Sequence, residues 1–83
     1  MLTINAKFVA NELTPGLENG TYCIADGSSV TDLIKQCERQ SGASIPDQNY
    51  QYMYPMFNGK AIRLDSPLIE DGTLHLCRIV MGG

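Results

Sequence analysis

Apolar positions alternate loosely at the start of the chain and recur with a helical period once, in the middle. Leu2 to Val9 alternates and ends near Ala10-Asn11-Glu12, which predicts a strand. Leu13 to Gly20 holds Pro15-Gly16 and Asn19-Gly20, two turn dipeptides in one short stretch, and predicts a loop. Thr21-Tyr22-Cys23-Ile24 is short and β-prone, placed to return beside the first strand. Asp26-Gly27-Ser28-Ser29 then ends that strand and opens a helix. Ser29 suits the N-cap, and Asp32 puts a carboxylate near backbone N–H groups that lack helical partners. Val30, Leu33, Ile34 and Cys37 recur at i, i+3, i+4 and i+7, with Asp32, Lys35, Gln36, Glu38 and Arg39 on the other side. Gly42 is the expected stop.

Ala43 to Asn49 is polar, contains Pro46, and reads as a connection. Gln51 to Phe57 reads as a strand interrupted by Pro55, a residue that suits an edge, an unpaired nitrogen or a bulge. Tyr50, Tyr52 and Tyr54 alternate and are expected to share one face, with Met53 and Phe57 pointing toward the helix. Asn58-Gly59 is the signature of a type I′ hairpin, which needs positive φ at both residues. Lys60 to Leu64 would be the return strand. Asp65-Ser66-Pro67 would break it, Pro67 to Glu70 would form a single helical turn, and Asp71-Gly72 another turn. Thr73 to Val80 reads as the last strand. The order is satisfied by an α+β fold in which a mixed sheet of about five strands wraps around one main helix. The first and last strands would then lie parallel at the centre, which is the β-grasp. The expected division is a β-grasp domain over 1–80 and a flexible tail over 81–83.

Composition narrows the function. Eighty-three residues make one domain, and 43% hydrophobic content fills one sheet-on-helix layer but no enclosed substrate cavity. Six basic residues, Lys7, Lys35, Arg39, Lys60, Arg63 and Arg78, are scattered among nine acidic ones, giving a net charge of −3. Nucleic-acid binding needs clustered cations, so no such partner is expected. Cys23, Cys37 and Cys77 lack close spacing and His75 is the one histidine, so no metal site is expected. The cysteines read as small buried hydrophobes and His75 as a strand residue. No apolar run is long enough for a membrane span and the start lacks the regions of a signal peptide, so a cytoplasmic location is expected. No acid–base pair, phosphate-binding glycine loop or metal cluster is visible, which argues against an enzyme.

The chemistry is expected at Gly82-Gly83. Two residues without Cβ make a thin thread that can enter a narrow channel and present a carboxylate to a nucleotide held by another protein. Four stretches add to this: Lys7-Phe8-Val9-Ala10-Asn11-Glu12-Leu13, Ser29-Val30-Thr31-Asp32-Leu33-Ile34, Phe57-Asn58-Gly59-Lys60, and Pro67-Leu68-Ile69-Glu70-Asp71-Gly72 with the closing Val80-Met81-Gly82-Gly83. In order and spacing the chain resembles the ubiquitin-like sulfur-carrier family that includes the small subunit of molybdopterin synthase and the thiamine-pathway carrier. Its length is nearer the molybdopterin branch. It departs from the family pattern at Thr73, at Arg78-Ile79 and at Met81.

The resemblance implies a carrier rather than an enzyme. A ubiquitin-activating-type adenylating enzyme would use ATP and magnesium to activate Gly83, with no cofactor bound by the carrier itself. A sulfur donor would convert the adenylate to a thiocarboxylate, and an acceptor synthase would take the sulfur for a molybdopterin-like or thiamine-like cofactor. Gly82 and Met81 would provide clearance. Met81, Val80, Arg78, Tyr52 and Tyr54 are the expected partner contacts; tyrosine favours interfaces, though the alternating tyrosines equally suit β-propensity and cross-strand packing. Two other readings compete: a β-grasp interaction subunit with an inert tail, and a modifier joined through Gly83 to lysines of other proteins.

Overall fold

Strict alternation of buried and exposed side chains defines β1 (Leu2–Phe8), where Leu2, Ile4, Ala6 and Phe8 turn inward. The computed structural model describes residues 1–79. The expectations placed on Val80, Met81, Gly82 and Gly83 lie outside the described residues. β2 (Gly20–Ile24) returns antiparallel beside β1, with Leu2 opposite Ile24 and Ala6 opposite Gly20. Gly20 is thus a strand residue rather than part of a turn. Asn19 serves the strand end instead, its Oδ1 accepting the Phe8 N–H at 2.7 Å.

α1 (Val30–Ser41) follows from local signals alone. The Ser29 hydroxyl accepts the Asp32 N–H at 3.1 Å and the Asp32 carboxylate accepts the Ser29 N–H at 3.0 Å, so two N–H groups without helical partners are satisfied together. Gly42 ends the helix at φ 77°, in the left-handed region, donating to the Glu38 carbonyl. Val30, Leu33, Ile34 and Cys37 are all buried, as their spacing requires.

The next segment departs from expectation. Asp47–Tyr52 forms a short 3₁₀ helix, so the third strand, β3 (Met53–Phe57), begins two residues later than the sequence pattern suggests. Tyr50, Tyr52 and Tyr54 therefore do not share a strand face. Tyr50 turns inward against the core, and its hydroxyl donates to Glu38 at 3.4 Å. Met53 and Phe57 do face the core, at 4% and 7% exposure. The hairpin turn has φ 51° at Asn58 and 82° at Gly59, the positive pair a type I′ turn demands.

β4 is only Lys60–Ala61, shorter than the expected return. Pro67 to Glu70 forms no helical turn. Pro67 makes an isolated antiparallel bridge with Ser29, and Leu68 exchanges backbone hydrogen bonds of 2.8 Å with Ser28 and Gly27, anchoring its buried side chain under the helix start. That exchange is a non-local satisfaction of backbone groups, which outweighs weak local helix preference.

β5 (Gly72–Arg78) completes a five-stranded sheet in the order β2-β1-β5-β3-β4. β1 and β5 are parallel, with Ile4 beside Gly72 and Phe8 beside Leu76. β3 lies between β5 and β4, so Pro55 is not on an edge strand. The Asn58 N–H donates to Thr73 O and the Ile79 N–H to Tyr52 O, which sets the even-numbered residues of β3 facing β5. The nitrogen of Pro55 points the other way, toward β4, where the Pro55 carbonyl accepts the Ile62 N–H at 3.1 Å and the reciprocal bond is forgone just past the two-residue strand. Leu74 and Leu76 of β5, Ile4 and Ala6 of β1, and Leu33 and Ile34 of α1 are at most 1% exposed and form the centre of the core.

Glu38 ties the helix end to the 3₁₀ helix. Its carboxylate accepts the Ile45 N–H at 2.8 Å and the Tyr50 hydroxyl, with Lys35 Nζ at 3.5 Å. The Ile45 N–H above all, then Lys35 and Tyr50, hold the Glu38 carboxyl below the ordinary glutamate value. A lowered folded value means the stabilisation is present above the ordinary glutamate pKa of about 4.3. It is lost as pH falls through the folded value. Urea unfolding at a series of acidic pH values should therefore show Glu38→Gln with a flatter loss of stability than the parent. Parallel curves would deny Glu38 this role.

Candidate functional site

β5 runs out beside the end of β1 and the start of β3, because it is parallel to the first and antiparallel to the second. Three strand ends thus meet at one edge of the sheet. The Ala10 N–H donates to Leu76 O at 3.2 Å and the Ile79 N–H to Tyr52 O at 2.8 Å, so the backbone is held through residue 79.

Arg78 and Tyr52, both expected partner contacts, are brought together here. The Arg78 guanidinium lies 5.4 Å from the Tyr52 ring centroid and its Nη1 is 3.5 Å from Glu12 Oε1. Arg78 follows Leu74 and Leu76 in strand parity and pairs with Met53, so it continues the helix-side face past the rim of the core. Tyr54 sits opposite Cys77 on the other face of the sheet. Tyr52 and Tyr54 are 39% and 42% exposed, and Val9, the residue after β1, is 57% exposed. Three of the five exposed large hydrophobic residues among the described positions therefore gather at this edge. Sequence reading left out Val9 and Glu12. Val9 was findable, since the alternation that buries Phe8 turns the next side chain outward. Glu12 was not, because its pairing depends on where β5 ends.

The open face of the sheet is polar. Lys7 and His75 lie side by side on the two central strands, and His75 is exposed. Among the described residues no three His, Cys, Asp or Glu side chains come together to hold a metal ion. The cysteines differ from one another. Cys37 is buried as expected, and burial raises its thiol pKa. Cys23, however, is exposed and Cys77 is partly exposed, because both occupy outward positions of their strands. Strand parity, not residue type, decided these two. Among the described residues no helix is long and apolar enough to cross a membrane.

No family model and no curated protein matches the sequence. Solved structures do. A crystal structure of SAMP1 from Haloferax volcanii is 20% identical, covers 98% of this chain and 99% of that one, and superposes with a TM-score of 0.66. A second structure, of H. volcanii small archaeal modifier protein 1, gives 18% identity, 96% and 100% coverage, and a TM-score of 0.70. A chain from Pyrococcus furiosus described as molybdopterin converting factor subunit 1 gives 15% identity, 96% and 100% coverage, and a TM-score of 0.64. The likeness extends over nearly the whole of each chain. The fold is therefore the ubiquitin-like β-grasp, with a mixed five-stranded sheet over one main helix.

Proposed function

We propose that this protein is a sulfur carrier that works through the carboxylate of Gly83. The observation that carries the reading is the placement of β5. The strand is held by the β1 side as far as Leu76 and by the β3 side through the Ile79 N–H, and the sequence continues with Val80-Met81-Gly82-Gly83. Four residues span at most about 14 Å. An enzyme that handles Gly83 therefore works close to Val9, Glu12, Tyr52 and Arg78. In this reading the carboxylate attacks the α-phosphate of ATP in an activating enzyme, releasing pyrophosphate and forming an acyl-adenylate. Sulfide delivered by a donor then attacks the acyl carbon, displaces AMP and leaves a thiocarboxylate, whose sulfur passes to the product of an acceptor synthase while water restores the carboxylate. The binding edge positions; the chemistry belongs to the partners. The Pyrococcus neighbour's description supports this reading.

A second reading is a protein modifier, with the Gly83 carbonyl joined to lysine amines of targets. The name of the Haloferax neighbour, small archaeal modifier protein 1, favours it. Both readings share the adenylation step and separate after it.

Removing Gly83 should abolish adenylate-dependent loading under either reading while leaving the urea midpoint unchanged. Denaturing gels of cell extracts separate the two. A carrier should show no ladder of higher-mass species reactive to an antibody against this chain. A Gly83-dependent ladder would favour the modifier, and unaltered cofactor synthesis without Gly83 would leave an inert interaction subunit. Arg78→Ala should raise the KM of the activating enzyme for this chain several-fold. Its contacts are solvent-exposed, so folding stability should change by less than about 1 kcal/mol. An unchanged KM would remove Arg78 from the docking edge.

A further inference from the structure

Asn58 does more than supply a positive φ. Its Oδ1 accepts the Thr73 N–H at 2.9 Å, and its Nδ2 donates to Glu70 Oε1 at 3.3 Å and to Asp71 O at 3.4 Å. The side chain at the hairpin tip thus closes the loop that leads into β5 and fixes the strand's first residues. Gly72 makes this possible. A Cβ at that position would overlap the Asn58 carboxamide. The groups here have directional demands: Thr73 offers a donor, while Glu70 and Asp71 offer acceptors. A carboxamide answers both and a carboxylate answers only the first.

Asn58-Gly59 is also a reactive pair. With no side chain on Gly59, its backbone nitrogen meets little obstruction in attacking the Asn58 Cγ. That attack forms the N–Cγ bond of a cyclic imide and expels ammonia, which takes up the proton lost from the Gly59 nitrogen. Water then opens one of the two imide C–N bonds, giving aspartate or, if the main-chain bond breaks, isoaspartate. No oxidant or cofactor is needed. Asn58 is exposed and lines an open depression of about 360 Å³, so water has access. What opposes the reaction is the clamp. Turning the carboxamide toward the Gly59 nitrogen requires breaking the hydrogen bonds that hold both its oxygen and its nitrogen.

We propose that Asn58 is a deamidation site latched by the native fold, and that its conversion unfastens the start of β5. The product places a carboxylate where Glu70 and the Asp71 carbonyl require a donor. Isoaspartate also adds a main-chain methylene to a turn that depends on two consecutive positive φ angles. The change is irreversible, and its rate follows the population of chains in which the hairpin has opened.

The test incubates the full chain in mildly alkaline buffer with and without urea, then measures amide-to-acid conversion by peptide mass spectrometry. Asn19-Gly20, the other such dipeptide in the chain, reports the intrinsic rate in urea. Deamidation at Asn58 should be more than about tenfold slower in the folded chain, as expected for a reaction that waits on local opening. A smaller slowing overturns the latch. For the consequence, Asn58→Asp should lower the urea midpoint, and adding Glu70→Gln should recover part of the loss by restoring a donor opposite the new carboxylate. An Asn58→Asp chain as stable as the parent, or no recovery on adding Glu70→Gln, would overturn the unfastening. If Asn58→Asp fails to fold, the same comparison is made on partly deamidated parent protein. The converted fraction should then unfold at lower urea than the unconverted fraction, and equal midpoints would contradict the proposal.

Discussion

The parallel pairing of β1 with β5 is the contact on which the remaining structure depends. It joins the two ends of the described chain, and such a pair cannot be closed by a tight turn. Everything between Phe8 and Gly72 must form the crossover. The helix supplies the apolar stripe that covers the pair from one side, and β2 and the β3–β4 hairpin flank it. Because the two central strands run the same way, the end of β5 arrives beside the end of β1. That is why Val9, Arg78 and Tyr52, distant in sequence, occupy one edge.

Much of this was legible in the residues, and the legible parts share a physical cause. Ser29, Asp32, the Val30–Cys37 stripe and Gly42 act within one or two turns of chain, so the helix could be placed with both its caps. Asn58-Gly59 fixed its turn type for the same reason. Errors arose where distant groups decided the outcome. The alternation of Tyr50, Tyr52 and Tyr54 looks like a strand, but Glu38 and the core draw Tyr50 inward and the backbone coils into a 3₁₀ helix. Pro67 to Glu70 has weak helical character, yet Ser28 and Ser29 offer it backbone partners instead. Cys23 reads as an apolar residue, but register turns it outward.

The candidate site divides along the same line. Tyr52, Tyr54 and Arg78 were nameable as interface-prone side chains, whereas the stacking of Arg78 on Tyr52 and the separation of Tyr54 onto the opposite face follow from the β3–β5 register. Gly82 and Gly83 are carried by the sequence alone, as they lie outside the described residues. The fold contributes a firmly held departure point for them at Ile79, and the edge around it offers a cation, a carboxylate and aromatic surface within a short reach.

The carrier reading is tested most directly by the state of the Gly83 carboxyl in protein purified from its own cells. Cleavage after Arg78 releases Ile79-Val80-Met81-Gly82-Gly83, a peptide that leaves Cys77 behind and contains no cysteine. Replacement of oxygen by sulfur nearly matches oxidation of Met81 in mass, so the protein is first treated with a thiol-selective alkylating reagent. The account predicts an alkylated fraction of this peptide, with the adduct on Gly83. An unmodified carboxylate in every preparation, including one supplied with an activating enzyme, ATP, magnesium and a sulfur donor, would contradict it.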